Sequence, residues 1–275
     1  MRIESDFQNQ NKLLDMGGAY AASRWDQLLE AQTDVFLPHE IEFFLANEAW
    51  AEACSVLDVG CGNGYYLSRL KTFFPQKRYT GIDISPRLIE IASSNGASDG
   101  VHYQTADFFE YEPHEQHDIV LMRLIVQHMK GIGDILQHAA GLIKDDGRVV
   151  VIEPDPEHFA NHPQTPMFDE LLRRVADHAS NNARNKGNLS RLGSGLDAVP
   201  GWRLSGHVRK TVPHTGPFAN TRLLQMLQLW IDILEGAGEI DFAFDDARHE
   251  IKAWSQNKTA YNQIGIQIMV LERAP

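Results

Sequence analysis

Nine residues, Val56-Leu-Asp-Val-Gly-Cys-Gly-Asn-Gly64, constrain this chain more than any other stretch. A short apolar run, Ser55 to Val59, reads as a strand, and Tyr65 to Phe74 recovers helical spacing. Alternating glycines between a strand and a helix let the backbone turn tightly and approach a ligand closely. Dinucleotide-binding turns share this property, but they usually place the last glycine three residues after the second, where this chain has Tyr65. Asp58 lies within the strand before the turn, and Asp83 ends a second strand 23 residues after Gly60, where a carboxylate can accept both hydroxyls of a ribose.

The rest of the first half continues the same grammar. Arg78–Ile82, His102–Ala106, His117–Met122 and Arg148–Ile152 read as strands, separated by helical stretches near Pro86–Ser94, Ile125–Met129 and Ile132–Ile143. This alternation predicts βαβ units, a parallel sheet and helices on both faces. Beyond Glu153 the pattern loosens. It offers helices at Met167–Asn185 and Thr221–Leu234 and strands at Trp202–Val208 and Gln263–Leu271. Residues 10–50 read as helical with an interruption at Pro38. The expected division is an N-terminal helical lid at 1–50, a ligand-binding core at 51–156, and lid elements with closing strands at 157–275, all within one domain.

The motifs resemble those of the class I S-adenosylmethionine-dependent methyltransferases that act on small molecules. The likeness covers about Trp50 to Pro154, with a looser echo at both ends. Asp58-Val-Gly-Cys-Gly-Asn-Gly is similar to that family's first motif and Gly81-Ile-Asp-Ile-Ser-Pro to its second. Ala106-Asp-Phe is similar to the third, and Leu142 to Pro154 resembles the segment around strand five. The resemblance implies a Rossmann-like, seven-stranded, mostly parallel sheet with a helical lid, and S-adenosylmethionine as cofactor. It implies cofactor contacts from Asp58, Gly60, Cys61, Gly62, Asn63, Asp83 and Ile84. Asp107 would meet the adenine amino group and Phe108 would flank the ring.

Two arginines are further candidates. Tyr20-Ala-Ala-Ser-Arg24-Trp25 is similar to the N-terminal helix of some members, whose arginine meets the methionine carboxylate; a solvated helical arginine is the alternative. Arg123, after strand four, lines the methionine end of the site or pairs with a neighbouring acid.

The cofactor brings the reactive methyl, so the protein must align the acceptor and exclude water. His128 is the candidate base, since imidazole titrates near neutrality; a histidine hydrogen-bonded within the packing is the competing reading. Tyr20, Trp25, Gln127, Glu153 and His158 are candidate acceptor contacts, with Glu153 and Asp155 equally suited to capping a turn. Aromatic residues such as Trp25, Phe159, Phe218 and Trp230 favour an aromatic or heteroaromatic acceptor, methylated on oxygen or nitrogen before carbon.

Other classes are disfavoured. A net charge of −12 leaves only Arg173–Arg191 as a dense basic stretch, which argues against a nucleic-acid partner. RNA or protein methylation remains a rival, as does a non-catalytic cofactor-binding subunit, but Met122-Arg-Leu-Ile125 lacks the tetrapeptide typical of base-amino methylation. Cys54 and Cys61 build no disulfide framework or zinc site, and no metal is expected. The polar N-terminus and the lack of any run near the roughly 20 apolar residues of a membrane span point to the cytoplasm. The apolar stripe Leu223–Leu234 suits lid core, an acceptor wall or a homodimer contact.

Overall fold

Strand β1, Ser55–Val59, is buried along its whole length, so it must be covered on both faces. The computed structural model describes residues 18–96, 100–182, 189 and 191–274, with the side chains of 18–22, 96 and 217–220 outside that description. In it β1 pairs in parallel with β2, Arg78–Asp83, and with β4, His117–Arg123. Strand β3, Val101–Thr105, joins β2 in parallel, and β5, Ile143–His162, joins β4 in parallel. Strand β7, Tyr261–Arg273, is antiparallel to both β5 and β6, Trp202–Thr215. The order is β3-β2-β1-β4-β5-β7-β6, the seven-stranded, mostly parallel sheet expected.

Alternation along the strands feeds two cores. Leu57, Val59, Val120, Met122, Val149 and Val151 face one layer, and Val56, Ile119, Leu121, Val150 and Ile152 face the other. The covering helices are α1, Gly18–Ala46; α2, Glu48–Glu52; α3, Tyr65–Phe73; α4, Pro86–Gly96; and α5, Ile132–Leu142. Beyond them come α6, Pro166–Asn181; α7, Leu192–Asp197; α8, Gly216–Ala237; and α9, Phe244–Gln256. A third core, with Leu28, Phe168, Leu223, Met226, Ile251 and Trp254, packs α1, α6, α8 and α9 into a helical cap.

Several expectations change. Helix α1 runs through Pro38 without a break. Proline there costs one backbone hydrogen bond, but Phe36, Leu37, Ile41 and Phe44 are buried on both sides of it. Phe44 also stacks on the fully buried Trp50 with ring centroids 3.8 Å apart, and burying each such ring is worth roughly 2–3 kcal/mol. The helix expected over Ile125–Met129 is a single 3-10 turn, Val126–His128. Strand β5 does not stop at Ile152: it continues through Pro154 and Pro156, bulges after Asp155, and pairs again with β7 up to His162. Glu153 and Asp155 are therefore strand residues, yet each still accepts from a turn: Asp155 from Glu157 N–H at 3.3 Å and Glu153 from Gln127 N–H at 3.2 Å. The stripe on α8 meets the lid-core expectation at Leu223, Leu229 and Ile231, which are buried. Among the described residues no helix is long and apolar enough to cross a membrane.

Candidate functional site

Chain order places β2 and β3 on one side of β1, and β4 and β5 on the other. The crevice above the carboxyl ends of β1 and β4 is therefore where such a sheet leaves room for a ligand. The turn after β1 forms its floor. Gly60, Gly62 and Gly64 have φ of 73°, 58° and 74°, the left-handed region that glycine enters without strain. Space is also tight at all three. A Cβ on Gly60 would lie 2.6 Å from Ile125 Cδ1, and one on Gly64 would lie 2.8 Å from both Ala92 Cβ and the Tyr103 ring.

Two acids border this floor. Asp83 accepts from Gly62 N–H at 2.9 Å through Oδ2 and from Ser85 N–H at 2.9 Å through Oδ1. Burial raises its pKa despite those two donors. Asp58 is buried, and burial pushes its pKa up to about 8 against the opposing pull of Arg123. Burial likewise pushes the Cys61 thiol well up, so it is an inert small side chain here. Asn63 is buried, accepts from Tyr65 N–H at 3.2 Å and donates to the Asp26 carbonyl at 3.5 Å, which closes the turn.

The second wall follows β4. Leu124 has φ 56°, the sole positive φ at a non-glycine among the described residues, and donates its N–H to the Ile152 carbonyl at 2.8 Å. Left-handed leucine is strained, and strain of this kind collects where a chain is held for use. The conformation launches the turn that carries Gln127 and His128. Glu153, fully buried, accepts from Gln127 N–H at 3.2 Å, and Gln127 Nε2 donates to the Leu124 carbonyl at 3.2 Å. Arg123 donates through Nε to Glu40 at 2.9 and 3.1 Å. Burial is the largest single influence and opposes its charge, but Glu40, Tyr66 and Asp58 together outweigh it and the pKa rises.

Helix α1 supplies the third wall through Trp25, Leu29, Gln32 and Thr33, which share one helical face. Together these walls enclose a cavity of about 130 Å³. A second, larger cavity of about 490 Å³ lies against it under the helical cap, walled by Phe36, Phe159, Phe168, Met226, Leu227 and Trp230 among others. The two share Trp25, Gln32, Leu124, Gln127 and His128.

Of the residues singled out from sequence, Asp58, Gly60, Cys61, Gly62, Asn63, Asp83, Ile84, Arg123, Trp25, Gln127 and His128 lie on the wall of the smaller cavity. Others do not, and each departure has a physical reason. Arg24 turns to Asp232 on α8, 3.5 Å away. Asp107 accepts from Phe109 N–H at 2.9 Å and so caps the short turn Phe108–Glu110. Phe108 is core, packed edge-on to Phe109 and His138 at 4.9 and 4.8 Å. Glu153 lies beneath the turn that it holds. His158 points to Asp155, 2.8 Å away, and Arg209 grips that same carboxylate at 2.6 and 2.7 Å. The Tyr20 side chain lies outside the described residues.

Sequence reasoning missed Leu29, Gln32, Thr33, Tyr66, Leu88 and Leu124 on the wall, and Glu40 behind Arg123. Helical spacing from Trp25 to Glu40 held the signal, but reading Pro38 as a break hid its end.

A family model described as a methyltransferase domain matches residues 51–213. The malonyl-acyl-carrier-protein O-methyltransferase of Acetivibrio thermocellus is 33% identical over 92 residues, 34% of this chain and 32% of that protein. A trans-aconitate 2-methyltransferase of Escherichia coli is 29% identical over 100 residues, 36% of this chain and 39% of that protein. The chain thus spans only about a third of the length of these curated relatives. A solved S-adenosylmethionine-dependent methyltransferase from Geobacter sulfurreducens, in complex with S-adenosylhomocysteine, shares the fold. It matches with a TM-score of 0.51 at 16% identity over 86% of this chain and 90% of that one.

Proposed function

The chain belongs to the methyltransferase-domain family, and from that premise we propose that it moves the methyl group of S-adenosylmethionine to an oxygen or nitrogen of a small, largely apolar acceptor. The observation that carries this reading is the common wall between a polar crevice and an apolar chamber. A donor and an acceptor seated in the two cavities would meet at Trp25, Leu124, Gln127 and His128.

The residues present fit the cofactor. Gly60 and Gly62 bring bare backbone to the cavity wall, and Asp83 keeps carboxylate lone pairs for a ribose diol. Ile84 and Leu88 offer an apolar face to a purine, while Arg123 and Asp58 stand where an amino-acid end would need polar partners. When bound, the cofactor supplies an electrophilic methyl on a sulfonium. The protein's work is alignment and exclusion of water. Trp25 and Leu124 screen the junction, and Gln127 is fixed from below by Glu153. His128 lines both cavities and would take the acceptor's proton as its nucleophile is methylated. The aromatic walls of Phe36, Phe159, Phe168 and Trp230 suit a planar or otherwise apolar body. The relatives named for oxygen methylation support an oxygen nucleophile as the first to try.

The test is a methyl-transfer screen with small phenolic, carboxylic and amine acceptors, run with wild type and His128→Ala. Turnover of one acceptor, reduced roughly 10²–10⁴-fold in the variant at neutral pH, is expected. Turnover unchanged in His128→Ala removes the base. No turnover by a protein that binds S-adenosylhomocysteine assigns it a non-catalytic binding role.

A further inference from the structure

Arg123 ends β4 with its guanidinium gripped on three sides. Nε donates to both carboxylate oxygens of Glu40, at 2.9 and 3.1 Å, and Nη2 donates to the Gln32 carbonyl at 3.4 Å. The guanidinium carbon lies 4.2 Å from the centroid of the Tyr66 ring. The pair is almost fully enclosed, with the Arg123 side chain 8% and the Glu40 side chain 1% exposed. A guanidinium has five N–H donors. Those bonds use the Nε–H and one Nη2–H, so among the described residues three donors remain, on a side chain that lines the smaller cavity. Donors on a cavity wall favour an acceptor there, and a carboxylate matches the fork in both geometry and charge.

An enclosed ion pair is a poor source of stability, because apolar residues of the same volume often do as well or better. Orientation is what this one supplies. Glu40 sits on α1, and the same helix brings Trp25, Leu29, Gln32 and Thr33 to the cavity. We propose that Glu40 is a positioning residue: by holding Nε it sets Arg123 to receive the α-carboxylate of the cofactor's amino-acid end, and it ties helix α1 to that contact. The assignment rests on the cofactor reading above.

Two ligands test it. S-adenosylhomocysteine carries the amino-acid end; 5′-methylthioadenosine keeps the nucleoside and lacks it. Glu40→Ala and Arg123→Met are expected to weaken S-adenosylhomocysteine by about ten-fold or more while leaving 5′-methylthioadenosine within about a factor of two. Glu40→Gln, which keeps an acceptor for Nε, restores the wild-type ratio of the two affinities. A merely structural role would weaken both ligands together. If Glu40→Ala strands the arginine charge and fails to fold, the double variant Glu40→Met/Arg123→Met removes the pair as a unit and must lose the same discrimination. A wild-type ratio in Glu40→Ala or in the double variant overturns the proposal. Failure of the folded wild type to bind either ligand overturns the cofactor reading, and the proposal with it.

Discussion

At the amino ends of β1 and β4, Asp118 accepts from the N–H groups of Cys54 and Ser55 at 2.9 and 2.8 Å, from Ser55 Oγ at 2.8 Å, and from Lys144 Nζ at 2.6 Å. At the carboxyl ends of the same two strands, Asp58 lies buried beside the glycine turn and Leu124 is held left-handed. Burial works against Asp118 too, but the Lys144 and Ser55 hydrogen bonds win and its pKa falls to about 2. For Asp58 burial wins, and the pKa climbs to about 8. One edge of the sheet satisfies its charge, and the other keeps a carboxyl protonated up to about pH 8 where a ligand can meet it. The difference separates what holds the fold from what the fold is for.

The largest effect that can break this comparison is Asp118→Ala, which leaves the donors of Cys54, Ser55 and Lys144 without their acceptor. It should cost about 2–4 kcal/mol of stability, read by urea unfolding, with affinity for S-adenosylhomocysteine unchanged. A loss of affinity without a loss of stability would invert the roles assigned to the two edges. Asp83→Ala should do the opposite. Cofactor affinity falls by about 1–3 kcal/mol through lost ribose hydrogen bonds, while stability falls less than in Asp118→Ala, because removing a desolvated carboxyl offsets the lost Gly62 and Ser85 hydrogen bonds.

The pH dependence of stability sharpens the contrast. The folded-state pKa of Asp58 is raised, so its contribution is fully present below the unfolded value near 4 and is lost as pH rises towards about 8. Asp118 has a depressed pKa, so its contribution is present above about 4 and is lost as pH falls through about 2. Asp58→Asn should remove a downward slope of up to about 1.4 kcal/mol per pH unit between those limits; denaturant curves at pH 5, 6, 7 and 8 measure it. A slope identical to wild type would mean that Asp58 is not the carboxyl that burial keeps protonated. Smallest is Leu124→Gly. Relief of left-handed strain should offset much of the lost packing and keep the stability change under about 1 kcal/mol, within reach of a thermal melt. A loss above about 3 kcal/mol would make Leu124 an ordinary core residue.

What the sequence disclosed follows how local the determining physics is. The turn after β1 was legible because its demands lie within nine residues: Asp58, then positive φ at Gly60, Gly62 and Gly64. The extension of β5 to His162 was not, because its far end exists only by pairing with β7 a hundred residues later. Pro38 misled for the same reason: its local cost is outweighed by burial of Phe36, Leu37, Ile41 and Phe44 in two different cores. Helix α9 was missed although Phe244, Ala247, Ile251 and Trp254 recur at helical spacing along its buried face. In the site, residues on the crevice floor were found from motif spacing. Arg24, Phe108 and His158 were misplaced because their partners, Asp232, His138 and Asp155, are fixed by tertiary packing that no motif records.

The central claim is that the crevice over β1 and β4 binds an adenosyl amino acid. Calorimetric titration of the wild-type protein with S-adenosylhomocysteine, with NADH as the control, tests it most directly. The account predicts saturable, one-to-one binding of S-adenosylhomocysteine and none of NADH. A folded protein that binds NADH, or binds neither, would contradict it.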